Sequence, residues 1–375
     1  MVVEDNGYII THMGKTFKTS HFQEDLTSEE CNKIRKEFYT KPSTDNLDKQ
    51  IQSLRDGKVK IHHIYHYYFY DIMADCRTKS GMSANYQSWS INEFMQCDDL
   101  IRFAIAKIRK FPKVYFTTYS DAKNIKTVFR LSPSGTAAKL SNFPYKTVKG
   151  VLEDYNVNDN YYDFSCGWGV RLCASMASDV NYFGTDPNKT LVKSLDQLVD
   201  RFKSVTDTSS KVDIRPIGSE VFVPEWENKM GLAFSSPPYF DLEEYSRSDT
   251  EGQSIENYPN YSDWLEKYFR ATMKNIKKYL IEDGHFLMNI KDIKNHALYE
   301  DCKSIIESEG FTLAHELDLK NINRVFLKQN DLDTDEKIMV FCHTESLEVI
   351  LDRIDSALID IGHYIPLLPV EAIKC

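Results

Sequence analysis

The sequence predicts an α/β fold: a mixed, largely parallel sheet in the second half of the chain, preceded by a mainly helical N-terminal region. Three observations carry this. From residue 160 onward, short apolar runs alternate with helix-period runs, the pattern of strands joined by crossover helices. The first third holds two Ser/Thr-x-x-Glu capping signatures ahead of helical patterns. A Gly-x-Gly turn sits between the first apolar run of the alternating part and a helical run, as in folds that bind a ligand at the strand ends. The 375 residues allow two domains, and 42% apolar with 13% aromatic content supports a packed core over disorder.

In order along the chain, residues 1–20 are strand-like or loose. Thr27-x-x-Glu30 opens a helix through Ile34 and Phe38, and residues 46–56 and 58–76 read as two further helices. Ser90-x-x-Glu93 caps another, running to about Arg109. Residues 113–130 suit a hairpin through Val114–Thr117 and Thr127–Phe129, and Ser132–Gly135 a loop. Strands follow at 161–164, 181–186, 212–217, 231–234 and 285–290, with helices at 170–178, 189–204, 262–281 and 295–309. Residues 311–318 and 337–343 suit a closing antiparallel pair, and 345–358 a last helix before a Pro-containing tail.

The chemistry concentrates at strand ends. Asp163-Phe164-Ser165-Cys166-Gly167-Trp168-Gly169 joins the first strand of the alternating part to its helix. Its two glycines allow close backbone approach to a ligand, and the helix start offers free N–H groups. Leu172 occupies the place of the third glycine that a dinucleotide site wants, so the Asp-x-x-x-Gly-x-Gly spacing instead suits a ligand bearing an amino group and positive charge. The next strand ends in Asp186, placed to accept from two ribose hydroxyls, and the third leads to Gly218-Ser219-Glu220. After Gly231–Phe234 stands Ser236-Pro237-Pro238-Tyr239. Its two prolines stiffen the loop and leave it without backbone donors. The carbonyls, the serine hydroxyl and the aromatic ring suit a flat ring with an exocyclic amine.

Together these residues resemble the class I S-adenosylmethionine-dependent methyltransferases, specifically the amino-methyltransferases of DNA bases, over roughly residues 139–343. Asn142-Phe143-Pro144 followed by Val148–Leu152 matches a further element of that family. The resemblance implies a Rossmann-like domain with a mixed seven-stranded sheet over residues 131–343. On this division, residues 1–130 form the helical region, with a recognition or accessory role, and 344–375 form a C-terminal helix and tail. It implies S-adenosylmethionine as cofactor, bound by Phe143, Pro144, Asp163, Ser165, Gly167, Gly169, Asp186, Ser219 and Glu220. Ser236, Pro237, Pro238 and Tyr239 become the catalytic tetrapeptide, in a form associated with cytosine N4. Cys166 and Trp168 depart from many family members, and the first 130 residues match no known pattern.

The net charge of −10 is unevenly spread: residues 101–150 carry eleven Lys or Arg against one acid, Asp121, which leaves −20 for the rest. Lys107, Arg109, Lys110, Lys113, Lys123, Lys126 and Arg130, interleaved with aromatics, suit phosphate contacts, with a solvated basic face as the plainer alternative. DNA is therefore the expected partner, with RNA possible on the same charge. No apolar run approaches membrane-spanning length and the N-terminus lacks a secretory pattern, so a cytoplasmic protein without membrane association is expected. The eight cysteines show no zinc spacing and read as reduced thiols. No metal is expected: His62 and His66 share a helix face, but the crowd of Tyr65, Tyr67, Tyr68, Phe69 and Tyr70 favours aromatic packing. Cys166 reads as packing under the turn, since the Pro-Cys motif of pyrimidine-carbon methylation is missing.

The expected reaction is direct methyl transfer to the exocyclic amine of a flipped base, cytosine N4 ahead of adenine N6, with Tyr239 stacking on the ring. An RNA or protein amine methyltransferase of the same fold is one alternative, and a non-catalytic binding module the other.

Overall fold

The computed structural model describes residues 2–4, 7–58, 61–78, 89–110, 120, 125, 143–245, 252–293, 295–318 and 337–343. The chain divides into two compact units that are not contiguous in sequence. One comprises residues 1–47, 62–141 and 241–250; the other comprises 48–61, 142–240 and 251–375.

In the first unit, β1 (Val2–Glu4), β2 (Gly7–His12) and β3 (Lys15–Thr19) form an antiparallel meander. Its β2–β3 turn is made by Met13 and Gly14, both at positive φ. Thr27 and Glu30 close both halves of the capping box of α1 (Ser28–Phe38). Helix α2 (Thr44–Arg55) begins here, and from Asp48 onward it belongs to the second unit. The single helix expected over 58–76 is instead α3 (His62–Tyr68) and a four-residue turn of helix, Tyr70–Met73, broken at Phe69. Phe69 is fully buried at a non-helical φ of −121°, so core packing overrides a run of aromatics with little helix propensity of their own. The rings of Tyr65 and Tyr70 pack around His66.

The helix expected over 90–109 is likewise two, α4 (Ile91–Met95) and α5 (Asp98–Lys110). Arg35 pins the junction: its Nε donates to the Met95 carbonyl at 2.5 Å and its Nη2 pairs with Asp98 at 2.7 Å. Asp98 and Asp99 then suit the positive end of the new helix. Ile34, Phe38, Phe94, Ile101 and Ile105 belong to this unit's core. The hairpin expected at 113–130 lies outside the described residues, apart from Ser120 and Ile125.

In the second unit, α6 (Tyr145–Tyr155) leads to β4 (Asn160–Asp163), α7 (Val170–Ala177), β5 (Asn181–Thr185), α8 (Lys189–Val205), β6 (Val212–Arg215) and β7 (Met230–Ser235). The helical pattern expected over 262–281 is a turn at Tyr261–Asp263, a π-helical segment Trp264–Phe269 and α9 (Arg270–Tyr279). It is followed by β8 (Leu280–Ile290), α10 (Leu298–Ser308), β9 (Phe311–Asp318) and β10 (Lys337–His343).

The seven strands lie in the order β9-β10-β8-β7-β4-β5-β6. The β8–β7, β7–β4, β4–β5 and β5–β6 pairs are parallel, while β10 is antiparallel to both neighbours. This is the Rossmann-like, mixed seven-stranded sheet of the class I methyltransferase fold, as expected. The chain runs outward from β4 to β6 and returns to β7 on the other side of β4, so the strand order reverses between β4 and β7. Ligands of open parallel sheets bind outside the carboxyl ends of the strands at such a reversal.

Cys31, Cys76, Cys97, Cys166, Cys173 and Cys302 are free, whereas Cys342 is disulfide-bonded, against the expectation of reduced thiols throughout. Among the described residues no helix is long and apolar enough to cross a membrane. The tail expected from residue 344 lies outside the described residues.

Candidate active site

At the carboxyl end of β4 the chain turns through Gly167 (φ +56°) and Gly169 (φ +73°), left-handed backbone that glycine adopts without strain. Asp163, which the sequence offers to a ligand's amino group, is fully buried and already partnered. Its Oδ2 accepts from Arg171 Nε at 2.7 Å and from the Tyr182 hydroxyl at 2.7 Å, and its Oδ1 from the Ser165 N–H at 3.3 Å. Arg171 also donates to the Ser165 carbonyl, and its guanidinium lies over the Phe143 ring at 5.9 Å. The sequence reading missed Arg171. The signal available was a basic residue at the second position of a helix with no other charge, eight positions after an acid.

Phe143 packs edge-on against Phe234 at 5.4 Å, and Pro144 stands at the N-cap of α6. Cys166 is buried beneath the turn: a Cβ on Gly184 would meet its Sγ at 2.5 Å. Burial pushes its thiol well above the ordinary range, which fits a packing role and not a nucleophile.

Asp186, just beyond β5, is half-buried. It accepts the N–H of Gly167 at 3.4 Å and that of Asn188 at 3.0 Å. Loss of water raises its carboxyl to about 6, more than these hydrogen bonds lower it. Beyond β6 the two expected residues differ. The Ser219 hydroxyl is shared with Thr272 at 2.8 Å, in the body of the unit. Glu220 accepts from Tyr258 at 3.2 Å through Oε1, whereas its Oε2 is buried with no hydrogen-bond partner.

At the end of β7, the Ser235 hydroxyl donates to the Ser165 carbonyl at 3.3 Å, which ties the proline loop to the glycine turn. The Tyr161 hydroxyl holds the Phe234 carbonyl at 2.7 Å from below. Pro237 is buried, and Ser236 and Pro238 are half-buried. Tyr239 is only 8% exposed. Its hydroxyl donates to the Asn289 carbonyl at 3.4 Å and accepts from Asn289 Nδ2 at 3.2 Å and from Ser236 Oγ at 3.2 Å. Because Tyr239 spends its proton on a carbonyl, Ser236 donates to Tyr239 and keeps its lone pairs as acceptors.

Of the expected phosphate contacts, Lys107, Arg109 and Lys110 close α5 in the first unit; Arg109 and Lys110 are exposed. Lys107 lies over the Phe103 ring at 5.9 Å, and burial lowers its ammonium. Lys113, Lys123, Lys126 and Arg130 lie outside the described residues. Among the described residues no cluster of His, Cys, Asp or Glu is arranged to hold a metal.

No protein-family model matches the sequence, and no curated protein sequence matches it. Solved structures do resemble it. A TehB-like S-adenosylmethionine-dependent methyltransferase from Corynebacterium glutamicum is 14% identical over 54% of this chain and 90% of its own, with a TM-score of 0.36. An S-adenosylmethionine-dependent methyltransferase from Clostridium acetobutylicum is 14% identical over 53% and 89%, with a TM-score of 0.33. The N-methyltransferase NodS from Bradyrhizobium japonicum is 10% identical over 53% and 93%, with a TM-score of 0.35. The strand order β9-β10-β8-β7-β4-β5-β6 carries the fold by itself.

Proposed function

We propose that this protein is an S-adenosylmethionine-dependent methyltransferase whose acceptor is the exocyclic amine of a base in DNA, cytosine N4 ahead of adenine N6. One observation carries the reading. The glycine turn after β4 and the Ser236–Tyr239 loop after β7 stand side by side where the strand order reverses, joined by the Ser235–Ser165 hydrogen bond.

The residues present fit that cofactor. Gly167 and Gly169 let the backbone approach it, Asp186 offers a carboxylate to ribose hydroxyls, and the unpartnered Glu220 Oε2 is an acceptor for an amine. Phe143 packs on the Arg171 guanidinium and against Phe234, and Pro144 follows it at the start of α6. When bound, S-adenosylmethionine supplies an electrophilic sulfonium methyl group. The chain's part is to present the acceptor nitrogen. The Ser236 oxygen, kept as an acceptor by its bond to Tyr239, and the Pro237 carbonyl take the amine's two N–H bonds and turn its lone pair outward. Positioning then supplies most of the rate, with no strong base required. Serine in place of an acid at 236 favours cytosine, and a flipped base is needed because a stacked amine cannot reach the methyl group. The basic residues between 101 and 130 supply the phosphate attraction, which fits RNA as well as DNA.

The test is transfer of labelled methyl from the cofactor to DNA, RNA and protein, with mass spectrometry of the released nucleosides. N4-methylcytosine is the expected product. Label on protein only, on a pyrimidine carbon, or on nothing would overturn the reading.

A further inference from the structure

We infer that Phe240 is a positioning residue: a strained aromatic peg, seated in a socket of Tyr261, Trp264 and His296, that fixes the Ser236–Tyr239 turn. The inference rests on the reading of that turn as catalytic and adds the element that holds it. Phe240 follows Tyr239 directly and has φ +48°, left-handed backbone that a bulky side chain adopts only where its surroundings over-determine it. A glycine would make the same turn without strain. Here the ring that forces the strain is 7% exposed and enclosed.

The seat is aromatic on three sides. His296 stands perpendicular to the Phe240 ring at 5.3 Å, Tyr261 at 5.2 Å and 63°, and Trp264 at 6.0 Å and 63°. These separations lie within the range of favourable edge-to-face contacts. The socket is itself braced. Tyr261 stacks on His296 at 3.9 Å and donates its hydroxyl to Asp301 at 2.7 Å. Trp264 opens the π-helical segment, an irregularity that recurs at functional sites. His296 is fixed by two backbone hydrogen bonds to Ile293, in the loop that leaves β8. Asn289, near the end of β8, holds the Tyr239 hydroxyl. Two consecutive residues are thus anchored at one strand end, Tyr239 by its hydroxyl and Phe240 by its ring. Rotation of the turn about either anchor is blocked by the other.

The test compares Phe240→Gly, which removes strain and ring together, with Phe240→Ala, which keeps the strain, and with Phe240→Tyr, which keeps the ring. His296→Leu, at a half-buried position, removes one wall without touching the turn. Displacing reacting groups by about 1 Å costs about 100-fold in rate, so kcat should fall on that scale in the Gly and Ala variants. Acceptor KM and cofactor affinity should hold, Phe240→Tyr should restore most of kcat, and His296→Leu should fall between. Hydrogen exchange at the Ser236 and Tyr239 amides, measured with no acceptor present, should quicken in the Gly, Ala and Leu variants. Unchanged exchange in Phe240→Gly and His296→Leu overturns the inference, as does a raised kcat in Phe240→Gly, which would make the ring an obstruction. Quickened exchange in a protein that methylates nothing would uphold the peg and sink the catalytic reading, so the two failures are distinguishable.

Discussion

Replacing Arg171 by Met keeps the stem of the side chain and removes its charge, which isolates what the guanidinium does beneath the glycine turn. Three contacts go: the 2.7 Å bond to Asp163, the donation to the Ser165 carbonyl and the contact with the Phe143 ring. Asp163 stays fully buried, with Tyr182 and one backbone N–H as its remaining donors. Breaking a buried ion pair by deleting one partner costs about 3–5 kcal/mol, chiefly because the other charge is stranded. The two surviving donors put the expected cost at the lower end, about 3 kcal/mol. Stranded burial disfavours the charged form, so the variant's carboxyl should bind protons more tightly than in the unfolded chain. Its stability should therefore recover as pH is lowered. Adding Asp163→Asn to Arg171→Met should restore much of the loss at pH 7, a strong departure from additivity. Denaturant titration followed by tryptophan fluorescence, at matched slopes, measures all of this. A single-variant cost below about 1 kcal/mol, or costs that simply add in the pair, would refute the reasoning.

Asp186, whose carboxyl is held up near 6, should make cofactor affinity pH-dependent. Ribose hydroxyls bind the ionised form better, so affinity should fall as pH drops through about 6 and be level above it; calorimetry of Asp186→Asn should show weaker, pH-flat binding. Tyr239→Phe should lower turnover about 5- to 10-fold, the value of one neutral hydrogen bond, because Ser236 loses the partner that keeps its oxygen an acceptor; kinetics equal to the parent would show that only the ring matters. Reversing Lys107, Arg109 and Lys110 to Glu should weaken binding to every DNA sequence alike and flatten its salt dependence. An unchanged salt slope would leave these residues a solvated face.

The sheet was legible because strand–helix alternation is a local pattern, and so were the closing strands: β9, with Phe311, Leu313 and Leu317 two or four positions apart, and β10, with an unbroken apolar run over Ile338–Cys342. The helix breaks were not. The gap between α4 and α5 is set by Arg35, sixty residues away from the Met95 carbonyl it caps, and no window along the chain contains both. Phe69 likewise breaks a helix because of what it packs into, not because of its neighbours in sequence. At the site, the glycine turn, Asp186 and the proline tetrapeptide could be read from spacing. The role of the Tyr239 hydroxyl could not, because its partner Asn289 lies fifty residues on, and the sequence reading gave that ring a stacking role without need of its hydroxyl.

Pairing also redistributes charge across the site. Asp163 reads from sequence as the acid that meets a positive ligand, yet it is matched by Arg171 inside the turn, so together they carry no net charge outward. Their fields act on Asp186 in opposite senses, Asp163 raising its carboxyl and Arg171 lowering it, and desolvation remains the main reason it stands near 6. The carboxylates left with capacity for a ligand are then Asp186 and Glu220, the first half-buried and the second holding an unpartnered oxygen. On the proposed reading a sulfonium or ammonium group entering here would meet the Asp186 carboxyl, whose charge depends on pH. That charge weakens when Asp186 takes up a proton, which on the same reading would tie the cofactor's affinity to this side chain while the buried pair beneath keeps the turn in shape.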